Sequence, residues 1–268
     1  MRVALGQLDM VWEDKERSYV KAEKMAEEAA AAGCDIIIFP EMSFTGFSMN
    51  LRAIGEEVHN SETVKRMQNL AQKLRIAVAF GWAAMGENTC DKGTNRFTIV
   101  DALGNKIADY AKLHPFSYGQ EDIYYEKGNK LVTVPFLGRR ISLFICYDLR
   151  FPEIFQAAAR KADIFFVIAN WPSIRSIHWE TLLRARAIET QSYVVGVNCV
   201  GERDGMVYSG ESMAVDSIGN ILGKISNKEG VLVCDLDDRA WHLRRKFATA
   251  ADRRERFYWE CFQKEITD

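Results

Sequence analysis

The stretch LFICYDLRFPE, residues 143–153, decides how this chain is interpreted. An apolar strand is predicted over 141–145 and runs directly into Cys146, and Pro152 then suits the first position of a helix. Ligands bind at the carboxyl ends of strands in open α/β sheets. A cysteine between a strand and a helix sits on a sharp turn, where its sulfur is exposed and nearby backbone N–H groups can stabilise an oxyanion. The stretch therefore predicts a reactive cysteine.

Outward from this stretch, strand-like and helix-like segments alternate along the chain. Helical spacing of apolar residues predicts helices over 18–32 and 177–190, and Asn60-Ser61 is a capping signal for another helix. Gly104-Asn105 predicts a hairpin between strands 95–101 and 106–111. The other predicted strands are 2–7, 35–39, 76–80, 131–134, 141–145, 164–168, 192–199, 212–216, 221–223 and 231–235. Such alternation indicates sheets covered by helices, an α/β layered fold.

Composition excludes several classes of protein. The 268 residues are 48% hydrophobic and 27% charged, which provides enough apolar surface for a folded core and makes disorder a poor interpretation. A net charge of −2 offers no bulk attraction to nucleic acid or to anionic lipid. Six cysteines without a C-x-x-C pair favour neither a disulfide scaffold nor a zinc site, and the apolar runs are too short to span a bilayer. We expect a single domain over 1–268, located in the cytoplasm.

Three predicted strands end in residues that can carry chemistry. Pro40-Glu41 follows the strand at 35–39, Lys112 follows the strand at 106–111, and Cys146 follows the strand at 141–145. Taken singly, a cysteine after an apolar strand is usually a small buried hydrophobe, and a glutamate or lysine is usually a surface charge. The three residues support catalysis only if the fold brings them together.

These blocks, PEM at 40–42, KLHPF at 112–116 and CYDLRFPE at 146–153, resemble the nitrilase (carbon–nitrogen hydrolase) superfamily. The resemblance extends from residue 4 to residue 254. It implies a four-layer α-β-β-α sandwich and association through helices into homodimers or higher homo-oligomers. It also implies that the C-terminal segment, about 238–268, packs on a partner subunit.

The resemblance implies a mechanism in which Cys146 is the nucleophile. A free thiol has a pKa near 8.5 and is only a few per cent thiolate at neutral pH, so a base must remove its proton. Glu41 is expected to be this base, and Lys112 with the backbone N–H of Tyr147 is expected to stabilise the tetrahedral oxyanion. Attack on an amide then releases ammonia and leaves a thioester for water to hydrolyse. This chemistry requires no metal and no organic cofactor.

The family has a second glutamate shortly after the lysine, for which Glu121 and Glu126 are the candidates. We choose Glu121, which lies nearer the family's distance, as the residue that positions substrate and keeps Lys112 charged; a solvated loop carboxylate is the alternative. His114 offers a Cys–His dyad as another hypothesis. Its place beside Lys112 better suits a structural role, with the ring holding the loop through a backbone hydrogen bond.

The residues around 41–49 and 169–189 look like those of the ω-amidase branch, which hydrolyses 2-oxoglutaramate or 2-oxosuccinamate to the dicarboxylic acid and ammonia. One departure is Cys199, where that branch commonly carries arginine. An N-carbamoyl compound or a nitrile is an alternative substrate of the same site, and a non-catalytic interaction module is an alternative of another class. The expected partner is a small amide, with no nucleic acid and no membrane.

A substrate carboxylate favours recognition by arginine. Arg175, in the loop after a predicted strand, is our first choice for this role, and Arg150 is the second, with an internal salt bridge as its favoured alternative. Trp171, Phe44 and Phe47 are candidates for apolar walls of the pocket, although each also suits core packing. The charges of the 177–190 helix are expected to form surface pairs, Arg184 and Arg186 with Glu180 and Glu189.

Overall fold

The computed structural model describes residues 1–86, 92–203 and 205–263. The strands in these ranges are β1 Arg2–Gln7, β2 Ile36–Ile38, β3 Ala77–Ala84, β4 Thr94–Val100, β5 Lys106–Ala111, β6 Thr133–Phe136, β7 Arg139–Ile145, β8 Ile164–Ala169, β9 Tyr193–Asn198, β10 Val200–Arg203, β11 Met206–Val215, β12 Ile221–Ser226 and β13 Gly230–Asp235. The helices are α1 Lys15–Ala31, α2 Leu51–Ile54, α3 Glu62–Leu74, α4 Glu121–Tyr124, α5 Pro152–Ala158, α6 Ser176–Thr190, α7 Arg239–Lys246 and α8 Glu255–Gln263. No helix of these ranges combines the length and apolar character needed to cross a bilayer.

The strands form two sheets. The first has the order β13-β1-β2-β3-β4-β5, and the second has the order β10-β11-β9-β8-β7-β6 with β12 beside β11. Strands β7, β8 and β9 are parallel and in register, with Ile145 beside Ile168 and Ile168 beside Val197. Because these parallel strands end at one edge, the residues that follow β7 and β8 lie near each other at the carboxyl end of the sheet.

Alternating side chains divide the core into layers. On β2, Ile36 and Ile38 face the second sheet, whereas Ile37 faces α1 and α3. A third cluster of buried residues packs α5 and α6 on the outer face of the second sheet. The order of layers is therefore helices, sheet, sheet, helices, and the predicted four-layer α-β-β-α sandwich is confirmed.

Local signals explain most of the element boundaries. The Ser61 side chain accepts a hydrogen bond from Val64 N and caps α3 as predicted, and the β4–β5 hairpin also forms as predicted. Helix α1 begins three residues earlier than expected, because the Asp14 side chain caps it by accepting from Arg17 N. The prediction for 212–216 was too short. Strand β11 begins at Met206 and pairs with β10, whose charged residues concealed its strand character.

A buried carboxylate joins the two sheets next to Cys146. Asp148 Oδ2 accepts from the Tyr110 hydroxyl at 2.7 Å and from Ile145 N at 3.0 Å, and Asp148 Oδ1 accepts from His114 N at 3.0 Å. Oδ1 also lies 2.8 Å from His114 Nδ1. Asp148 thus connects the end of β5, in the first sheet, to the turn after β7, in the second. It was not singled out from the sequence.

We expect Asp148→Ala to lower the free energy of unfolding by about 3 kcal/mol, because it leaves several buried donors without an acceptor. Urea denaturation measures this loss, with the same slope of the unfolding free energy against urea concentration in the wild type and the variant. Asp101→Ala is the matched control: Asp101 also accepts backbone hydrogen bonds, but in the exposed turn between β4 and β5. Its expected cost is below about 1 kcal/mol. Equal losses in the two variants would contradict a special role for Asp148.

Candidate active site

The backbone bends sharply at Cys146. Strand β7 ends at Ile145, Cys146 adopts a left-handed φ of 47°, and a 3₁₀ turn over Cys146–Arg150 leads into α5. A non-glycine residue with such a φ is strained, and strain of this kind is found where a side chain must be presented to a ligand. The predicted sharp turn is confirmed, and Cys146 lines a cavity at the carboxyl end of the sheet.

Three charged side chains from separate parts of the chain meet beside this cysteine. Lys112 Nζ lies 2.8 Å from Glu41 Oε1 and 2.8 Å from Glu121 Oε2. All three side chains are completely buried. Glu41 follows β2, Lys112 follows β5, and Glu121 begins α4. The structure therefore brings together the residues that the sequence left dispersed.

The charges of this cluster determine the state of the thiol. Burial raises the pKa of the Cys146 thiol well above its usual value, the negative charge of Glu41 raises it further, and Lys112 opposes both effects. Burial disfavours the charged form of Lys112, but Glu121 and Glu41 outweigh it and raise the pKa of this lysine. The raised pKa values thus favour the ammonium form of Lys112 and the protonated form of the Cys146 thiol.

The structure distinguishes Glu121 from Glu126, the other candidate for the second glutamate. Glu121 is fully buried and also accepts a hydrogen bond from Phe116 N at 2.6 Å, whereas Glu126 is exposed. Burial raises the pKa of Glu121, the Lys112 ammonium lowers it, and the Glu41 carboxylate raises it. Of the two candidates, only Glu121 lies in the cluster.

The Cys–His dyad does not form. The His114 ring faces Asp148 and stacks on Phe151, with 3.8 Å between the ring centroids. Its role is structural, as expected, but the partner of the ring is a buried carboxylate and not the predicted backbone group.

Two asparagines of the cluster were missed from the sequence. Asn95 Nδ2 donates to Glu41 Oε1 at 2.7 Å and to Glu121 Oε1 at 2.8 Å. Asn170 N donates to Glu41 Oε2 at 2.9 Å, and Asn170 Oδ1 accepts from the Cys199 thiol, with 3.2 Å between Sγ and Oδ1. The hairpin register contained a signal for Asn95, since counting back from its turn places residue 95 close to residue 112. Asn170 directly follows β8, a position at which ligand contacts are expected.

The cavity above Cys146 is a cleft of about 230 Å³, and half of the residues that line it are aromatic. Its lining residues are Trp12, Phe47, Phe116, Tyr118, Gly119, Cys146, Tyr147, Arg150, Asn170, Trp171, Pro172, Arg175, Met206 and Tyr208. Of the predicted substrate-contacting residues, Tyr147, Trp171, Arg150 and Arg175 are therefore at the cavity. Trp171 is also nearly inaccessible to solvent and packs against Trp179, so it serves both the wall and the core.

The prediction that Phe44 forms a wall was wrong. Its side chain points away from the cleft into the core beneath α1, where its ring centroid lies 4.7 Å from that of Tyr19. Phe47, the other candidate from this loop, does line the cleft, and its ring lies 5.3 Å from Lys112 Nζ. Both aromatic residues follow the same strand, and only the path of the loop decides which of them faces the cavity.

The two predicted arginines bring positive charge to the cleft. The Arg150 guanidinium lies 4.9 Å from the Trp171 ring, and the Arg175 guanidinium lies 5.7 Å from the Phe116 ring. The favoured salt bridge of Arg150 is not found: its guanidinium contacts His178 Nδ1 at 3.2 Å. Within the described ranges, neither arginine has a carboxylate oxygen within 4.0 Å.

Two predicted charge pairs on α6 form. Arg184 lies 3.7 Å from Glu180, and Arg186 lies 3.2 Å from Glu189. For Arg186, however, the predicted surface position was wrong. Its side chain is 5% exposed, and it donates to the Leu149 carbonyl at 2.8 Å, so it supports the turn that carries Cys146.

Comparison with known proteins places this geometry in a family. The model of the carbon-nitrogen hydrolase family matches residues 2–245. Among curated relatives, Omega-amidase YafV of Escherichia coli (strain K12) is 34% identical over 223 residues, covering 83% of this chain and 84% of that protein. The 2-oxoglutaramate amidase of Bacillus subtilis is 30% identical over 233 residues, which cover 86% of this chain and 88% of that protein.

A solved structure agrees with these relatives. XC1258 from Xanthomonas campestris, described as a CN-hydrolase superfamily protein with an arsenic adduct in the active site, superposes with a TM-score of 0.86. It is 30% identical, and the match covers 94% of this chain and 97% of that one. With a family model spanning nearly the whole chain and relatives of this similarity, the protein belongs to the carbon–nitrogen hydrolase family.

Proposed function

We propose that the protein is a cysteine-dependent amidase that hydrolyses the terminal amide of a small dicarboxylic acid monoamide, of the 2-oxoglutaramate or 2-oxosuccinamate type. The observation that carries this proposal is the cluster of Glu41, Lys112 and Glu121 beside the Cys146 thiol, in a cleft that also holds two arginines. The names of the relatives, an omega-amidase and a 2-oxoglutaramate amidase, support the same substrate class.

The first half of the reaction forms a thioester. Glu41 takes the proton from Cys146 Sγ as the sulfur attacks the amide carbon, and the carbonyl electrons move to oxygen. The Lys112 ammonium and the backbone N–H of Tyr147 stabilise this oxyanion. The tetrahedral intermediate then collapses, the C–N bond breaks, and Glu41 returns its proton to the nitrogen, which leaves as ammonia.

The second half regenerates the enzyme. Glu41 takes a proton from water as the water oxygen attacks the thioester carbon. Collapse of the second tetrahedral intermediate breaks the C–S bond, and the proton on Glu41 passes to the leaving sulfur, which releases the carboxylic acid. Glu121 takes no proton in this scheme. Its Oε2 lies 2.8 Å from Lys112 Nζ, the same distance as Glu41 Oε1, and it keeps the ammonium in place.

The arginines of the cleft account for recognition of the acid end of the substrate. A 2-oxo acid amide carries a carboxylate and a ketone at the end away from the scissile amide. We assign the carboxylate to Arg175, because a guanidinium pairs with carboxylates through two parallel hydrogen bonds. Arg150 lies in the same cleft and is a further cationic contact.

We expect Cys146→Ala to abolish ammonia release, because it removes the nucleophile. The assay is a panel of 2-oxoglutaramate, glutamine, an N-carbamoyl amino acid and an aliphatic nitrile. Cys34→Ala is the matched control, since Cys34 is a buried thiol in the core beneath α1. Turnover by Cys146→Ala at the wild-type rate would contradict the proposed nucleophile. Wild-type activity on only the carbamoyl compound or only the nitrile would contradict the proposed substrate class.

Arg175→Ala is expected to raise KM for acidic amides by about 5- to 150-fold, which corresponds to roughly 1–3 kcal/mol of lost carboxylate recognition. Neutral amides should change far less, because they offer no carboxylate to the guanidinium. Steady-state kinetics on 2-oxoglutaramate and on a neutral aliphatic amide measure the change in KM for each kind of substrate. Arg184→Ala on α6 is the control, since Arg184 pairs with Glu180 outside the cleft. An equal effect on both substrates would remove Arg175 from the carboxylate site.

We further propose a single domain over 1–268 that assembles into a homodimer or higher homo-oligomer through its C-terminal segment, about 238–268. Within 239–263 the segment exposes large apolar side chains that soluble surfaces rarely group together. They are Trp241, Phe247, Phe257, Tyr258, Trp259 and Phe262. The cytoplasm is the proposed location, because its reducing conditions keep thiols free.

A double variant, Trp259→Ala with Phe262→Ala, should shift the protein from oligomer to monomer, because both side chains are mostly exposed on α8 in the single chain. Sedimentation equilibrium measures the mass. Glu260→Ala on the same helix should leave the mass unchanged, since Glu260 is exposed and pairs with Arg256 of its own helix. A wild-type protein that is monomeric at micromolar concentration would contradict this proposal.

A further inference from the structure

The buried cluster beside Cys146 has an unusual balance of charge. Glu41 and Glu121 are two carboxylates with no solvent exposure, and Lys112 is the one ammonium that lies between them. Two carboxylates sharing a buried site repel each other, and such a pair tends to retain a proton. One lysine can neutralise only one of the two charges. Hydrogen-bond donors can offset the second charge: Phe116 N donates to Glu121 at 2.6 Å and Asn170 N donates to Glu41 at 2.9 Å, but neither contacts both carboxylates.

Asn95 is placed to supply this stabilisation. Its Nδ2 donates one hydrogen bond to each carboxylate, to Glu41 Oε1 at 2.7 Å and to Glu121 Oε1 at 2.8 Å. Lys112 Nζ bridges the same two side chains at 2.8 Å each. The amide and the ammonium thus form two bridges between one pair of carboxylates. The backbone carbonyl oxygen of Asn95 also accepts a hydrogen bond from the backbone N–H of Lys112 at 2.9 Å, so this residue holds the lysine as well.

The other end of the Asn95 side chain shows what this arrangement costs. Within the described residues, Asn95 Oδ1 is a buried polar atom with no hydrogen-bond partner. An orphaned buried acceptor costs about 1–3 kcal/mol. Rotating the amide by 180° would not relieve this cost, because Oδ1 would then face two carboxylate oxygens. The Asn95 side chain therefore donates to Glu41 and Glu121 while its own Oδ1 lacks a donor. A buried polar atom without a hydrogen bond is an exception in folded proteins and calls for a functional explanation.

We propose that Asn95 is a positioning residue that keeps Glu41 and Glu121 ionised and correctly placed around Lys112 without adding positive charge to the site. Its neutrality matters for Glu41. Donors that bind a carboxylate make it a weaker base, and a second cation would do so far more strongly than an amide. With Asn95 the cluster retains a net negative charge, and Glu41 can still take the proton of Cys146. This inference rests on the proposed role of Glu41 as the base.

The direction of the effect follows from the hydrogen bonds. Burial raises the pKa of Glu121, the Glu41 carboxylate adds to this rise, and the Asn95 hydrogen bond opposes it. Removal of the amide therefore favours a proton shared by the two carboxylates. A protonated Glu41 cannot accept the thiol proton, so the reactivity of Cys146 should appear only at higher pH. We therefore expect Asn95 to control the pH below which the reactivity of Cys146 falls, which is the acid limb of the pH profile.

The test measures alkylation of Cys146 by iodoacetamide in the free enzyme as a function of pH, followed by mass spectrometry of the peptide that contains this residue. Asn95→Leu removes both donors and keeps the number and branching of the side-chain heavy atoms, and Asn95→Asp replaces the donors with another carboxylate. We expect the acid limb to move upward by about one pH unit or more in both, a roughly tenfold loss of rate below the midpoint. Asn95→Ser is the milder variant, and it should give an intermediate shift because one hydroxyl supplies one donor.

Thr98→Val is the matched control for damage to β4. Thr98 is fully buried on the same strand; its hydroxyl accepts from Trp82 Nε1 at 2.8 Å and donates to Asp109 Oδ1 at 3.1 Å, and it has no hydrogen bond to Glu41 or Glu121 within the described residues. It should lower stability in urea and leave the alkylation profile unchanged. If Asn95→Leu and Asn95→Ser, shown to be folded by circular dichroism, retain the wild-type midpoint, Asn95 has only a structural role and the proposal is overturned.

Alkylation needs no amide substrate, so the outcome is separate from that of the substrate panel. A shifted profile in the Asn95 variants upholds the inference even if the panel identifies a different substrate. Glu41→Gln completes the test, because it should eliminate the acid limb that Asn95 is argued to control. If Glu41→Gln keeps the wild-type profile, Glu41 is not the base, and the inference fails together with the proposed mechanism.

Discussion

The buried ammonium of Lys112 between two carboxylates is the interaction on which the rest of the site depends. A buried charge without a partner is strongly destabilising, so Glu41, Lys112 and Glu121 must be placed together or not at all. Glu41 follows β2 and Lys112 follows β5, both strands of the first sheet, and Glu121 begins α4. Cys146 follows β7 of the second sheet, so the packing of the two sheets brings the thiol to this cluster. Asp148 strengthens the contact between the two sheets, because its carboxylate accepts hydrogen bonds both from Tyr110 at the end of β5 and from Ile145 N before the turn that carries Cys146. The chemistry and the packing of the sandwich are therefore one constraint.

The residues alone predicted an α/β layered fold and a reactive Cys146, for physical reasons, whereas the four layers and the roles of Glu41 and Lys112 were implied by the family resemblance. Apolar runs such as 36–38 and 164–168 are buried on both faces, and they are recognisable because no polar residue interrupts them. The Gly104-Asn105 turn and the Ser61 cap are local signals, and local signals survive in any tertiary context. Cys146 was identifiable because a strand, a cysteine and a helix-starting proline occur in direct succession.

What the sequence did not reveal depends on contacts between distant segments. Asn95 looks like an ordinary strand residue, and only the meeting of Glu41 with Glu121 gives its amide a function. Phe44 and Phe47 are equivalent in composition, and the path of one loop places the first in the core and the second in the cleft. Arg186 has the sequence context of a surface charge, but α6 turns it toward the Leu149 carbonyl. Each of these outcomes is determined by packing and not by local propensity.

The left-handed backbone at Cys146 has a consequence for how this chain can change over evolutionary time. Holding a residue with a Cβ in that conformation costs on the order of 1–3 kcal/mol, a cost that glycine avoids. At this position selection for catalysis and selection for stability therefore act in opposite directions. A lineage that no longer needed the reaction could relieve this cost by replacing Cys146 with glycine. Among the cysteines that the structure describes, Cys146 alone has a left-handed backbone, so the cost of this conformation falls on the cysteine at the cleft.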